Sequence, residues 1–508
     1  MGTFLGLDVG TSAAKALLVD ETVAVRARGT ASYPLHTPHP NWSEQHPDDW
    51  WAGTVAAIRA ALEHAPADAR EVDAIGLTGQ MHGLVLRDSD GAVVRPAILW
   101  NDQRTAAQCA AIHERAGYER TIAITGKPAL TGFTAPKVLW VREHEPEAFA
   151  RAAHLHLPKD DVRYRMSGAH AIDVADASGT GFFSCADRHW SDEMIDALEI
   201  PRAWLPSVHE SPEICATLNA DGAAALGLRE GTPIVAGAGD QAAEAVGCGI
   251  VRPGAVSVTI GTSGVVFAAT TEPTTDAGGR LHTYCHAIPG RWHMMGVMLS
   301  AGGSLRWYRD TFEPDAMADA AARGMDAYDI ILERAFATPP GSEGVTFLPY
   351  LTGERTPYAD PDARGAFLGL SLRASRAHLA RAVVEGITFG LRDALELVHE
   401  CGLPITALRT SGGGARSAAW RQLMADVFQH PIATVTAIEG AAYGAALLAG
   451  VGAGAWRSVE EAADTCVHDS TRVEPSGVSY DEAYARYGAF ARTARTCPHD
   501  DGQPSIGT

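Results

Sequence analysis

Eight cysteines are scattered through the 508 residues without one Cys-x-x-Cys pair. That spacing excludes a dithiol redox motif and fits free thiols in a reducing compartment. His282, Cys285 and His286 lie close together but lack the two paired knuckles of a structural zinc, so no metal is assigned to them. Positive charge is scarce: 41 Lys and Arg face 61 Asp and Glu, a formal net charge of -20. A basic face is the usual footprint of a nucleic-acid binder, so no nucleic-acid partner is expected. No apolar run reaches membrane length. The longest candidate, Gly440 to Trp456, is rich in Gly and Ala and stops at Arg457, which reads as a buried helix. The start of the chain lacks the basic flank and apolar core of a signal peptide, and the expectation is a cytoplasmic protein without a membrane partner. There is no Gly-x-x-x-x-Gly-Lys-Ser/Thr, no Gly-rich loop with an Asp-Phe-Gly partner, and no His-Glu-x-x-His. Ser12-x-x-Lys15 mimics a penicillin-binding motif, but its partner motifs are missing.

What is present is an ordinary globular composition, 46% hydrophobic and 20% charged, over a length that allows two or more cores. Phe4 to Val9 and Ala13 to Asp20 are apolar runs of strand length around Gly10-Thr11-Ser12, which predicts a β-hairpin. A Gly at the turn lets backbone N–H groups gather into an anion-binding nest, and Thr11 and Ser12 add hydroxyls. Asp8 beside such a nest would repel a bare phosphate. It makes sense with a cation between them, and Mg²⁺ on a nucleotide is the usual one. Taken alone, the pattern fits an ordinary hairpin equally well.

Further along, a helix is predicted from Pro47 to His64 and a buried strand from Val72 to Thr78. The strand runs into Gly79-Gln80-Met81-His82-Gly83. Ala97 to Trp100 is another strand, ending in Asn101-Asp102-Gln103-Arg104. Polar residues just past strand ends are where open α/β sheets place ligands. Pro233 to Gln241 is a strand entering the Gly-lined turn Gly237-Ala238-Gly239-Asp240-Gln241, with a helix from Ala242 to Val246. A domain boundary is placed near Cys248 to Pro253.

Beyond it the opening pattern returns. Ala255 to Ile260 is a strand, Gly261-Thr262-Ser263-Gly264 a turn, and Val265 to Ala268 a strand again, as in an internal duplication. A long helix is predicted from Ser375 to Cys401. The strand Ala407 to Ser411 runs into Gly412-Gly413-Gly414, and a helix follows from Ser417 to Gln429. Three glycines between strand and helix let a ligand lie flat on the backbone at a helix N-terminus. Thr496 to Thr508 reads as a loose tail.

The two Gly-Thr hairpins, the Gly-Ala-Gly-Asp-Gln turn and the Gly-Gly-Gly turn together resemble the FGGY carbohydrate kinases, of the actin, hexokinase and Hsp70-like superfamily. Two long signatures match. One is Gly132-Phe133-Thr134-Ala135-Pro136-Lys137-Val138-Leu139-Trp140-Val141. The other runs from Gly365-Ala366-Phe367-Leu368-Gly369-Leu370 to His378-Leu379-Ala380-Arg381-Ala382-Val383-Val384-Glu385. Within the family the likeness is to the branch acting on D-xylulose, carried by Trp42-Ser43-Glu44-Gln45, Gln80-Met81-His82-Gly83, Leu99-Trp100-Asn101-Asp102, Leu157-Pro158-Lys159-Asp160 and Gly353-Glu354-Arg355-Thr356-Pro357-Tyr358. Asp161 departs from the aromatic common after Lys-Asp, and Gln241 and Ser417 stand where some relatives have Asn.

The resemblance implies an α/β fold of two ribonuclease-H-like domains, residues 1–248 and 249–495, with an interdomain cleft and a tail over 496–508. It implies a transfer from ATP with Mg²⁺. Asp240 would be the general base and Asp8 the metal-binding carboxylate. Met81, His82, Trp100, Asp240 and Gln241 would meet the sugar. Thr11, Ser12, Lys15, Gly261, Thr262 and Ser263 would grip phosphate, and Gly412, Gly413, Gly414 and Ser417 would line the adenosine site. Other acceptors in the family's range are ribulose, ribitol and glycerol. An ATP-gated binding protein of the actin or Hsp70 type would lack a base aimed at an alcohol. Dimers are common among such kinases.

Overall fold

Gly6 and Gly76 lie side by side in two parallel strands beneath one helix, Ala441–Gly452. A Cβ on Gly6 would stand 1.9 Å from the carbonyl oxygen of Ala442, and one on Gly76 2.0 Å from that of Ala445. Only glycine lets the helix backbone come this close to the sheet. The helix keeps that contact close with Ala and Gly, and it is buried over Ala442 to Gly450; of the predicted stretch Gly440 to Trp456 it covers Ala441–Gly452, while 453–456 lie outside it.

The computed structural model describes residues 2–22, 24–436 and 440–496. Its contacts divide the chain into two units. The first comprises Met1–Pro253, Ala268–Met294 and Thr436–His468; the second comprises Gly254–Phe267, Met295–Val435 and Asp469–Thr508. The first crossing falls at Pro253, and the chain then returns to the first unit twice.

In the first unit the opening strand Thr3–Val9 pairs antiparallel with Ala13–Asp20 and parallel with Ala74–Gly79. The sheet order is Ile214–Thr217, Pro233–Val235, Ala74–Gly79, Thr3–Val9, Ala13–Asp20 and Val25–Ser32, with Ala238–Gly239 also beside Ala74–Gly79. Pro47–His64 forms the expected helix, with Pro47 in its first turn, Asp48 and Asp49 near its positive end and His64 in its last turn. Trp50, Ala57, Ile58 and Ala61 on that helix bury against Leu5, Leu7, Leu18 and Leu77.

In the second unit Ala255–Ile260 runs parallel to Ala407–Gly412, followed across the sheet by Ile432–Val435 and Asp469–Val473. Thus each unit begins with a strand–turn–strand whose first strand has a parallel partner from further down the chain. The helix Arg376–Glu400 agrees with the predicted span. Ser375 and His378 form a capping box at its start, and Val383, Val384, Ile387 and Leu391 are buried along it. The three glycines do not adjoin the next helix. Gly414–Arg416 makes a short 3₁₀ turn first, and Ala418–Phe428 begins only after Ser417, whose hydroxyl accepts from the Trp420 N–H. Of the predicted tail, Thr496 ends the helix Asp481–Thr496 and the remainder lies outside the described residues.

Candidate active site

Three strand ends coincide. Val9 and Gly239 both pair with Gly79 across parallel ladders. Asp8, the segment Gln80-Met81-His82 and Asp240 therefore gather at the carboxyl edge of one sheet, where α/β folds place ligands. The order of residues along three separate strands produces this meeting.

Asp240 is part-buried and opens the helix Asp240–Gly247, two residues earlier than the sequence pattern predicts. The Gln241 N–H donates to its Oδ1 at 2.8 Å. Burial, then the negative charges of Asp8, Asp176 and Glu244, hold its pKa well above the ordinary carboxylate value. A carboxylate so disposed takes a proton readily, as a general base must. Asp8 is pushed up to about 6, mainly by burial, with Glu244 adding to the rise and Lys15, its cross-strand partner, opposing it. Its Oδ1 is buried with no hydrogen-bond partner. That oxygen suits a hard cation. Among the described residues no three His, Cys, Asp or Glu side chains converge to hold a metal by themselves. Mg²⁺ commonly takes one or two carboxylates plus phosphate oxygens.

The turn Gly10-Thr11-Ser12 is tightly braced. Gln45 Nε2 donates to the Thr11 carbonyl at 2.7 Å and Tyr33 OH to the Gly10 carbonyl. Thr11 Oγ1 accepts from the indole N–H of Trp100 at 2.9 Å and donates to Gln80 Oε1 at 3.3 Å. The single polar group of Trp100 is thereby committed to the turn, while Ser12 and Lys15 are exposed. The strand predicted to reach Trp100 covers only Ala97–Ile98, and Asp102 in the turn beyond accepts from Ser43 N and from Arg104, so it is part of the scaffold.

Met81 and His82 are buried, and His82 takes a positive φ of 66°. Its carbonyl accepts from Lys137 Nζ at 2.8 Å and from Thr134 Oγ1 at 3.1 Å. Both donors belong to the Gly132–Val141 signature. His82 Nδ1 lies 3.0 Å from the Gly179 carbonyl, and the ring packs on Phe133 with centroids 4.6 Å apart. Met81 closes over Gly239, where a Cβ would stand 2.8 Å from Met81 Cγ. The Gln241 side chain is part-buried beside Asp240.

In the second unit Ile260 pairs with Gly412, so Gly261-Thr262-Ser263 and Gly412-Gly413-Gly414 leave one sheet edge together. Gly412 has φ 81° and a Cβ there would lie 2.4 Å from the Ile260 carbonyl oxygen. Gly261, Thr262, Gly412 and Gly413 are exposed. The hydroxyl of Ser417 is taken by its helix cap.

The chain matches the N-terminal domain model of the FGGY family of carbohydrate kinases over residues 3–247 and the C-terminal domain model over 256–453. It belongs to the FGGY family of carbohydrate kinases. This FGGY kinase is 41% identical to the xylulose kinase of Escherichia coli (strain K12) over 460 residues, 90% of this chain and 92% of that one. It is 38% identical to the xylulose kinase of Bacillus subtilis (strain 168), covering 93% and 92%. The crystal structure of xylulose kinase from Rhodospirillum rubrum superposes with a TM-score of 0.89 at 29% identity, covering 97% of this chain and 99% of that one. The kinase thus has the two-domain mixed α/β fold of the actin and hexokinase type, and is an ATP-dependent sugar kinase.

Some contacts behind the Asp240 turn of the FGGY kinase have no local signature of their own. Lys159 is fully buried and its ammonium touches Asp173 at 2.5 Å, Asp176 at 2.7 Å and Asp160 at 2.8 Å. Arg163 adds a contact to Asp160 at 3.0 Å. Asp176 is pushed up to about 7, chiefly by burial. Its Oδ1 abuts Gly239, the residue before Asp240. The Lys159-Asp160 pair marks the family, but nothing local tells which carboxylates meet it. In the second unit, Gly302 N donates to the Gly261 carbonyl and Gly303 N to the Thr262 carbonyl, each at 2.9 Å. Ser300-Ala301-Gly302-Gly303 after a strand is a signal for these contacts.

Proposed function

We propose that this kinase transfers the γ-phosphoryl group of ATP to D-xylulose, giving D-xylulose 5-phosphate, with Asp240 as the general base. The observation that carries the reading is the shared register of Val9, Gly79 and Gly239, which gathers Asp8, Met81-His82 and Asp240 at one edge. The names of the relatives at 41% and 38% identity support the choice of sugar.

The terminal hydroxyl of the ketose attacks the γ-phosphorus, its proton passes to the Asp240 carboxylate, and the bond to the ADP oxygen breaks. A free alcohol is a weak nucleophile, and a positioned base contributes roughly 10²–10⁴-fold. The raised proton affinity of Asp240 favours that acceptance. The transition state is loose, so orientation carries much of the effect. His82 and Met81 orient the sugar, with Trp100 and Gln241 at its margins. Asp8 would hold Mg²⁺, and the ion would supply positive charge to neutralise the phosphates. Thr11, Ser12 and Lys15 contact phosphate oxygens, as do Gly261, Thr262 and Ser263. Gly412, Gly413 and Gly414 line the adenosine, with Ser417 at their end.

The decisive experiment offers D-xylulose, L-ribulose, ribitol and glycerol in parallel in a coupled ADP assay, with product identification. D-Xylulose should give the highest kcat/KM and a 5-phosphate product. A higher value for any of the others would overturn the sugar assignment.

A further inference from the structure

The loop Gly353-Glu354-Arg355-Thr356-Pro357 contains a buried carboxylate that the reaction above does not use. Glu354 is 3% exposed. Its Oε1 accepts from Leu299 N at 3.0 Å and from Arg355 N at 2.7 Å. Its own backbone is pinned by a reciprocal pair with Asp360, N to O at 2.8 Å in both directions. One step away, Thr356 Oγ1 accepts from Val297 N, and Thr356 N donates to the Val297 carbonyl, both at 3.0 Å. The loop therefore grips residues 297–299 by three hydrogen bonds, two of them through side chains.

Residues 297–299 end the strand Trp292–Met298 and lead within two residues to Ala301. There the backbone meets the second Gly-Thr turn. Ala301 N and Gly303 N both donate to the Thr262 carbonyl, at 3.0 and 2.9 Å, and Gly302 N donates to the Gly261 carbonyl at 2.9 Å. The fit is close: a Cβ on Gly302 would stand 2.3 Å from the Gly261 oxygen. Leu299 is thus a short strut between the buried Glu354 carboxylate and the carbonyls of the turn.

We propose that Glu354 is a positioning residue for the nucleotide-binding turn Gly261–Ser263, acting through Leu299 and the start of the helix Gly302–Phe312. This rests on the reading that the turn binds ATP phosphates. Removing the acceptor takes from the part-buried Leu299 N–H the carboxylate that holds it, and the segment shifts to find another partner. The turn then loses its set, and nucleotide affinity falls while the sugar site in the other unit keeps its residues.

The test is steady-state kinetics on the full chain, with melting temperature measured alongside. Glu354→Ala should raise KM for ATP about tenfold and leave KM for D-xylulose within about twofold. Glu354→Gln, which keeps an oxygen for Leu299 N, should restore most of the ATP affinity. An unchanged ATP KM in folded Glu354→Ala, or a parallel rise in both KM values, overturns the proposal. Should Glu354→Ala fail to fold, Thr356→Val decides instead: a raised ATP KM supports the strut and an unchanged one overturns it. Gly302→Ala separates this from the functional reading, because its methyl displaces the turn directly. If Gly302→Ala raises the ATP KM and Glu354→Ala does not, the positioning role alone falls. If neither does while turnover persists, the turn is not a nucleotide contact and the reading beneath falls too.

Discussion

The Nδ1 atom of His82 lies 3.0 Å from the carbonyl oxygen of Gly179. A carbonyl only accepts, so Nδ1 carries the proton and Nε2 of the neutral ring is an acceptor. The same turn is locked from behind, because Gly179 N donates to the Asp176 carbonyl at 2.9 Å. The imidazole is thus oriented, and Nε2 has the right character for a hydroxyl donor on a sugar. His82→Ala should raise KM for D-xylulose about tenfold or more and that for ATP about twofold at most. Equal rises in both would remove His82 from the sugar site.

Asp240→Asn keeps the shape of the side chain and deletes its ability to accept the proton. Its kcat should fall by roughly 10²–10⁴-fold, while ATP binding by calorimetry stays near the wild-type value. The wild-type enzyme should lose activity toward acid at a pH above the usual carboxylate range, because Asp240 must be ionised and its proton affinity is raised. Near-normal turnover in Asp240→Asn would exclude this carboxylate as the base.

Asp8 links function to stability with a definite sign. Its pKa in the folded protein is about 6, above the ordinary 3.8. The folded state holds this proton more tightly than the unfolded chain, so the contribution to stability is full below pH about 4 and is lost as pH rises through about 6. Without nucleotide, Asp8→Asn should therefore stabilise the fold at pH 8, on the order of 1–3 kcal/mol, read as a rise of several degrees in melting temperature. The gain should vanish near pH 4. The variant should also lose turnover. A lower melting temperature at pH 8 would show that the carboxylate is satisfied in the folded state.

Much of this was legible where the signal is local. The helix Arg376–Glu400 follows from its apolar spacing and the Ser375 cap, and the two Gly-Thr hairpins follow from paired apolar runs around Gly, Thr and Ser. Asp240 stood out through the glycines before it. The bracing of Thr11 by Trp100 and Gln80 was not legible, since the partners come from loops just past strand ends, 89 and 69 residues away. The gap between Gly412–Gly414 and the next helix was missed because Ser417 reads as part of the helix, whereas it is the cap. The Lys159 cluster depends on Asp173 and Asp176, which the linear sequence does not distinguish from surface carboxylates.

That cluster supports the last prediction. Lys159 is buried among Asp160, Asp173 and Asp176, with Arg163 as the other cation. Breaking a buried ion pair from one side leaves charge uncompensated and typically costs about 3–5 kcal/mol. Lys159→Met should lower the melting temperature at pH 8 by on the order of ten degrees. Asp173 and Asp176 are already pushed up by burial, and without the ammonium they hold protons still more tightly when folded than when unfolded, so part of the loss should return as pH falls toward 6. Activity should fall as well, because Asp176 Oδ1 abuts Gly239 and a displaced Asp176 moves the backbone that presents Asp240. A pH-independent loss of stability would mean that lost packing, and not unpaired charge, is what Lys159 prevents.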